Sequence, residues 1–384
     1  MDIAGANDIS ILYALSMILA GATLLQSLAF ALFLLTVRFR AALASRFLLV
    51  VLLLMAAIKA DELFQLVGGI EAYPGWAFIL APLQPLMTPA LYFFIRARTD
   101  GEFRLERHHA WHLLPFLGYA AFWFFGWFRF DVATRQAMLA GGLFDAPLNA
   151  LWIPALFDLV QLAYLVAALV LLARHGLALR QWFSRVDDKS LGWLRPILFL
   201  WIAIFIIHLA RTIASGGMGD HQFDIAAIIT LDAGHFVLIN CLLLAAIADF
   251  VARPEPVTIG KYAGSSLSGD ERAALFRRAE SLMAEERLYL DPDLTLQNLA
   301  DALAATPREL SEAINGEGGE TYYAFVNRRR VEAAKAMLAT DPAAKILDVA
   351  LESGFGSKSS FNDCFQRLTG QSPSDWRRSL LDSM

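Results

Sequence analysis

Four pairs of polar side chains interrupt long apolar stretches of the sequence. They are Asp61 with Glu62, Asp158 with Gln161, His208 with Arg211, and Asp232 with His235. The last two pairs are spaced three residues apart, so each pair shares one face of a helix. Ionisable groups in a bilayer cost about 2.5 to 3.5 kcal/mol each and often mark a site. The pairs indicate either a ligand pocket or interhelical hydrogen bonds that hold a bundle together.

Motifs for catalysis and for metal binding are absent from the sequence. It contains no HExxH, Walker loop, dinucleotide glycine fingerprint or GxSxG turn. A zinc site from His208, Asp232 and His235 would lack a short ligand motif. The two cysteines, Cys241 and Cys364, lie far apart and form no disulfide framework. We therefore expect no enzyme, no cofactor and no bound metal.

The apolar stretches are long enough to cross a membrane. The chain is 57% hydrophobic and 18% charged, whereas soluble domains average about 25% charged. Seven runs of about 20 residues suffice to span the hydrocarbon core. They are Ile11 to Val37, Phe47 to Val67, Trp76 to Ile95, Ala110 to Phe128, Leu151 to Ala173, Trp193 to Ala214 and Ile225 to Ala248. We predict an all-α fold with a seven-helix transmembrane bundle over residues 1–250.

The short loops between these runs differ in their content of Lys and Arg. Twelve such residues lie in or near the loops after the first, third and fifth runs, and four lie in or near the alternate loops. Basic loops stay on the cytoplasmic side. We expect the N-terminus outside and the C-terminus in the cytoplasm of a bacterium, with the protein spanning the inner membrane.

Residues 251–267 and 268–384 differ from the apolar part. The first segment contains Pro254, Pro256, Gly260 and Gly264 and predicts a flexible linker. The second is charged and amphipathic at helical spacing, with 14 Lys and Arg against 19 Asp and Glu. It predicts a soluble helical domain whose acidity argues against crude electrostatic binding of nucleic acid.

Capping signals divide the soluble domain into helices. Ser268 with Glu271 begins a helix to about Arg287, and Thr295 begins another. Thr306, Pro307 and Glu309 begin a short helix to Asn315. A long helix over residues 321–338 leads to a further pair, Ile346 to Ser353 and Lys358 to Leu368, with Gly354 and Ser357 at the junction. This order predicts two helix-turn-helix units joined by a long helix.

The long helix and the second helix-turn-helix unit resemble the C-terminal signature of AraC/XylS-type transcription regulators. The segment NRRRVEAAKAML followed by KILDVALESGFGSKSSFNDCFQRLTGQSPSDWR carries the likeness. Residues 295–327 are similar to the first helix-turn-helix of the branch with membrane-spanning N-terminal halves. Gln366 and Trp376 depart from the usual lysine and tyrosine. Glu309 and Glu312 make the first recognition helix acidic, so we expect the second to contribute more phosphate affinity.

The resemblance implies binding of double-stranded DNA by two recognition helices in successive major-groove faces. The implied DNA-binding residues are Arg308, Ser311, Asn315, Lys358, Ser359, Asn362, Asp363 and Arg367. Arg328, Arg329, Arg377 and Arg378 suit phosphate contacts or solvated surface. Arg330 could instead form a structural ion pair. We expect the domain to read DNA as a homodimer.

The combined expectation is a membrane-embedded transcription regulator that couples a small-molecule or periplasmic signal to transcription, with lipid and DNA as partners. The candidate signal-binding residues are Asp158, Gln161, His208, Arg211, Asp232 and His235. The alternative is a membrane transporter or channel with a helical partner-binding tail. Broken helices favour a transporter, and Pro82, Pro85 and Pro89 in the third run fit that interpretation.

Overall fold

The computed structural model describes residues 3–36, 43–140, 149–186, 190–215, 221–252 and 267–382. The chain divides into two compact units. The first unit is formed by Met1–Leu172 and Trp193–Thr258, and the second by Ala173–Gly192 and Ile259–Met384. The described residues form helices and no β-strand, in agreement with the predicted all-α class. The predicted linker falls almost wholly on residues 253–266, outside the described part.

Within these described ranges, the first unit contains nine α-helices, the seventh of which ends in the second unit. They are α1 (Ile3–Thr36), α2 (Leu43–Leu66), α3 (Gly69–Ala72), α4 (Met87–Thr99), α5 (Leu114–Trp123), α6 (Val132–Ala140), α7 (Asn149–Leu179), α8 (Leu194–Ser215) and α9 (His221–Ala252). Helix α1 packs against α2 and α9, α2 packs against α4, and α8 packs against α9.

Four described helical segments are long and apolar enough to cross a membrane. They are Ile11–Leu35, Leu43–Leu66, Ala155–Leu179 and Ile228–Ala248. Arg107–Phe128 and Val132–Leu139 together qualify only as a pair bent by 91°, and Leu194–Ala210 is a shorter apolar helix. These segments are candidate spans, and the number of seven stays a prediction.

The third predicted run, Trp76 to Ile95, is not one continuous α-helix. A 3-10 helix over Ala81–Leu86 with Pro85 inside it precedes α4. Proline lacks a backbone N–H and clashes with the preceding turn, which interrupts a regular helix. In the fourth run, a 3-10 turn, α5 and a π-helix over Phe124–Phe128 follow one another.

The described part of the second unit adds seven α-helices. They are α10 (Gly269–Glu285), α11 (Leu296–Ala302), α12 (Pro307–Gly318), α13 (Tyr322–Thr340), α14 (Ile346–Glu352), α15 (Lys358–Thr369) and α16 (Pro373–Asp382). The predicted capping boxes at Ser268 and Thr306 are present, and Thr295 caps α11. Helix α12 is longer than predicted because it continues to Gly318 before Gly319 ends it in a left-handed conformation.

Candidate nucleic-acid interface

The first helix pair, α11 and α12, lies on a core shared with α10 and α13. Leu299, Leu310 and Ile314 are fully buried in that core, together with Phe325. The Thr306 side chain accepts a hydrogen bond from the backbone N–H of Glu309, while the Glu309 carboxylate accepts from the N–H of Thr306 at 2.8 Å. The hydrogen bonds that the carboxylate accepts from the backbone N–H and the hydroxyl of Thr306 hold the pKa of Glu309 below its ordinary value. The first turn of α12 is thereby fixed on a packed support.

The second helix pair, α14 and α15, packs against α13 through aromatic rings. Phe361 lies 5.1 Å from Phe355 and 5.4 Å from Phe365 between ring centroids. Ser357 caps α15 by accepting a hydrogen bond from the N–H of Ser360. Helix α15 thus begins at the predicted cap, Ser357.

Gly354 lies where the second pair approaches the segment before α11. Its φ is +91°, and a Cβ atom built on it would lie 2.3 Å from the carbonyl oxygen of Tyr289 and 2.8 Å from the Cα of Leu290. Backbone atoms cannot yield as a flexible side chain can. Glycine is therefore required both for the left-handed conformation and for the close approach.

Arg330 occupies the centre of the second unit and is only 1% exposed. Its guanidinium donates to the carbonyl oxygens of Tyr289 at 2.7 Å and Asp291 at 2.6 Å, and to Oδ1 of Asn327 at 3.1 Å. Burial lowers its pKa to about 10. These partners, together with the hydroxyl of Ser184, are uncharged oxygens. Arg330 therefore forms a network of hydrogen bonds in place of the ion pair that the sequence allowed.

The three predicted DNA-binding residues of α12 differ in exposure. Pro307, Leu310, Ala313 and Ile314 are buried, whereas Asn315 is exposed and Arg308 and Ser311 are half-buried. The Nδ2 atom of Asn315 donates to the carbonyl oxygen of Ser311 at 2.8 Å. The amide is thus held along its own helix.

The outward face of α15 is larger and more exposed. Ser360, Phe361, Cys364 and Phe365 are buried, which leaves the predicted residues on the other side. Lys358, Ser359 and Asp363 are exposed, and Asn362 is half-buried. Arg367 lies at the edge of this face, where its guanidinium donates to Sγ of Cys364 at 3.2 Å and lies 5.3 Å from the Tyr323 ring centroid.

The other arginines named from the sequence have partners within the unit. Arg328 pairs with Glu280 at 3.3 Å and Glu320 at 2.8 Å, and Arg329 also pairs with Glu280. Arg378 pairs with Asp375 at 3.3 Å, and Arg377 donates to the carbonyl oxygen of Ala344 at 3.2 Å. These pairs orient Arg328 and Arg329 toward α10 and Glu320.

Residues 180–186, between α7 and α8, belong to the second unit, although no sequence pattern indicates it. The backbone N–H of Leu296, in the first turn of α11, donates to the carbonyl of Trp182 at 3.0 Å. The N–H of Tyr323, in the first turn of α13, donates to the carbonyl of Arg180 at 3.0 Å. First-turn N–H groups have no partner within their helix. This loop supplies acceptors to two helix N-termini.

Ser184 extends the same attachment and is 2% exposed. Its hydroxyl donates to the carbonyl of Leu294 at 2.7 Å and accepts from Arg330 at 3.2 Å. Its carbonyl accepts from Nδ2 of Asn327 at 3.0 Å, and Arg185 pairs with Asp293 at 3.1 Å. Residues 180–186 form an integral strap of the DNA-binding unit, which we call the α7–α8 strap.

In the first unit, the structure brings Asp232 together with residues that the sequence interpretation had not paired with it. Lys59 donates to Asp232 at 2.5 Å and to Glu62 at 2.6 Å, and Ser16 also bonds to Asp232. Lys59 and Asp232 are 2% and 1% exposed. The i, i+3 spacing of Lys59 and Glu62 within an apolar run was a usable signal for this cluster.

Four of the candidate signal-binding residues line one cavity, described below: Gln161, His208, Asp232 and His235. His208 also lies 3.6 Å from Asp158, across α7 and α8. The side chain of Arg211 lies outside the described residues. Among the residues that the structure describes, no group of three His, Cys, Asp or Glu side chains could hold a metal ion.

The second unit therefore has the build of a tandem helix-turn-helix DNA-binding domain. Comparison with known proteins agrees: residues 299–379 match a family described as a helix-turn-helix domain. An uncharacterized HTH-type transcriptional regulator of Staphylococcus aureus (strain COL) is 34% identical over 91 residues, which are 23% of this chain and 12% of that protein. The transcriptional activator RhrA of Rhizobium meliloti (strain 1021) is 33% identical over 103 residues, which are 27% of this chain and 32% of RhrA.

Among solved structures, the C-terminal domain of AraT, a response regulator from Geobacillus stearothermophilus, is 28% identical and covers 30% of this chain and 88% of its own, with a TM-score of 0.26. The chain spans less than a third of the length of the curated relatives named above. The C-terminal part of this protein is an AraC-type helix-turn-helix domain, as the resemblance predicted.

Proposed function

We propose that the protein is a membrane-embedded transcription regulator that reads double-stranded DNA through α12 and α15. The observation that carries the proposal is the pair of polar outward faces on the second helices of two helix-turn-helix units. Both faces are opposite a packed core, as DNA-reading helices must be. The relatives named as transcriptional regulators support the same interpretation.

Base recognition follows from the side chains on the two faces. Asn315 and Asn362 are suited to adenine, Arg308 and Lys358 to guanine, and Asp363 can accept from cytosine. Ser311 and Ser359 can bond to more than one base. Arg367, at the edge of its face, is placed for a phosphate. The two helices would enter successive major-groove faces about one helical turn apart.

The outer surface of α1 supports a membrane location. Ile11, Ile18, Leu25 and Leu32 recur every seventh residue and are 63 to 69% exposed. Soluble monomers rarely expose a continuous apolar surface of this kind. A bilayer would cover the stripe. We assign the protein to the bacterial inner membrane.

The strap supports the proposed orientation. It follows α7, and two apolar helices, α8 and α9, separate it from the DNA-binding helices in the chain. Two crossings return the chain to the same side of a membrane. The strap and the DNA-binding helices can then share the cytoplasm, as the basic loops predict.

The strap also supports a way for a signal to pass from the membrane-embedded helices to the DNA-binding helices. Its backbone is continuous with α7, and its carbonyl groups cap α11 and α13. A shift of α7 would be transmitted to both helix-turn-helix units without passing through residues 253–266. We further propose a homodimer, because two tethered acidic domains gain effective concentration on DNA that one lacks.

A transporter with a helical tail is the second candidate. The 3-10 helix at Ala81–Leu86 and the 91° bend after Phe128 are interruptions of the kind that transporters use. The presence of a DNA-binding domain favours a transcription regulator over a transporter.

The proposal is tested with the full-length chain. A genome-wide map of bound sites in cells would yield candidate operators, and the purified protein in lipid nanodiscs would then be titrated with one bound fragment and a scrambled fragment. We expect at least about a thousandfold preference for the bound fragment. Equal affinity for both fragments at physiological salt would exclude a sequence-specific regulator.

A further inference from the structure

A cavity of about 470 Å³ lies among the helices of the first unit. Its lining comes from α2, α4, α5, α7, α8 and α9 and from the segment before α4. Sites for small molecules have volumes of about 300 to 1,000 Å³ and combine apolar walls with a few polar groups. The volume therefore suits a small organic molecule.

The lining contains three acidic and three basic side chains. Asp61, Glu62 and Asp232 contribute carboxyl groups, Lys59 contributes an amine, and His208 and His235 contribute imidazoles. Lys59 forms ion pairs with Glu62 and Asp232. Asp61 accepts a hydrogen bond from Gln65 at 3.0 Å and a longer one from the N–H of Leu80, at 3.5 Å. Among the described residues, Asp61 thus has only uncharged hydrogen-bond partners, and a cationic ligand would complement its carboxyl group.

One residue of the lining also contains an unpartnered acceptor. Gln161 lines the cavity and is 2% exposed. Within the described part of the chain, its Oε1 atom has no hydrogen-bond partner. A buried acceptor without a partner costs about 1 to 3 kcal/mol. A ligand that donates hydrogen bonds would satisfy it.

Aromatic rings form much of the wall. Phe78 and Trp123 are stacked with centroids 4.9 Å apart, and Tyr119 meets Trp123 edge to face at 6.2 Å. Trp201 is fully buried. Aromatic faces attract organic cations through their quadrupoles. They also accommodate an apolar body, which a hydrated metal ion lacks.

We infer that this cavity binds an organic ammonium ion with an apolar or aromatic body. The ammonium group lies near Asp61 and donates to Gln161, and the body packs on the rings of Phe78, Tyr119 and Trp123. The inference rests on the proposed function, in which the cavity is the sensory site of the regulator. The ligand would alter the packing of α7, which continues into the strap.

The test is calorimetric titration of the full-length protein in nanodiscs with phenethylammonium, and with 2-phenylethanol as the neutral probe of the same shape. We expect saturable binding of the ammonium at least about tenfold tighter than that of the alcohol, since only the cation forms charge-assisted hydrogen bonds. Gln161→Leu and Asp61→Asn should each weaken ammonium binding by about tenfold. Glu102→Gln, a change at an exposed carboxylate outside the cavity, should leave it unchanged.

Failure of the ammonium to bind, equal binding of the alcohol, or unchanged affinity in both cavity variants would overturn the inference. The comparison of the two probes on the unaltered protein decides the question even where a variant does not fold. The titration contains no DNA, so its failure leaves the proposed DNA binding intact. Conversely, a protein that binds phenethylammonium but no operator would contradict the proposed function alone.

Discussion

Arg330 donates a hydrogen bond to the hydroxyl of Ser184 at 3.2 Å, across 146 positions of the chain. One residue belongs to the long helix between the two helix-turn-helix units, and the other to the strap that follows α7. Both side chains are almost fully buried. A short loop between two apolar helices is therefore part of the DNA-binding fold.

Ser184→Ala should loosen this attachment. The substitution leaves the carbonyl of Leu294 and one guanidinium N–H of Arg330 without a buried partner, at a cost of about 1 to 3 kcal/mol. We expect faster hydrogen exchange in the strap and in the first turns of α11 and α13. Ser379→Ala is the matched control, because Ser379 is exposed and also donates to a carbonyl. Unchanged exchange in the strap would contradict its role as an integral part of the unit.

Gly354→Ala should destabilise the second unit more than Gly370→Ala. Both glycines have positive φ, which costs alanine about 1 to 2 kcal/mol. At Gly370 a Cβ would meet nothing within 4 Å, whereas at Gly354 it would meet the Tyr289 carbonyl oxygen at 2.3 Å. The steric clash should add about 1 to 3 kcal/mol. Hydrogen exchange in α14 and α15 measures the difference, and equal effects of the two substitutions would refute the close approach.

Asn362→Ala should weaken binding to a cognate operator by about 1 to 3 kcal/mol and relax specificity at one base. Arg367→Ala should instead weaken binding to all sequences alike and reduce the salt dependence. Gel-shift titrations of the full chain at several salt concentrations separate the two effects. Loss of specific binding in Glu309→Ala together with normal binding in Asn362→Ala would show that the recognition helices are wrongly assigned.

The orientation can be tested with a reporter that is active only in the cytoplasm. Fusions after Arg40, Arg107, Lys189 or Met384 should be active, and fusions after Gly69 or Gly217 should be inactive, because basic loops remain inside. Reporter activity in cells, normalised to the abundance of each fusion, is the measurement. Activity after both Gly217 and Met384 would exclude the seven-span arrangement.

Several features of the DNA-binding unit could be predicted from the sequence alone. The starts of α10, α11, α12 and α15 follow from caps in which the partners are three residues apart, so a short window contains the whole interaction. The buried faces of α12 and α15 follow from helical spacing. The same spacing predicts the outward positions of Arg308, Asn315 and Asn362.

Contacts between distant parts of the chain could not be predicted in this way. The bond of Ser184 to Arg330 and that of Lys59 to Asp232 join residues 146 and 173 positions apart. Three acceptors of Arg330 are backbone carbonyl oxygens, those of Tyr289, Asp291 and Ser184. Every residue possesses such a group, so side-chain identity does not identify these three. Within the DNA-binding unit, local sequence thus determined which segments are helical and which faces are polar. Only tertiary packing decided that the α7–α8 strap joins the DNA-binding unit, since that depends on which backbone groups meet after folding.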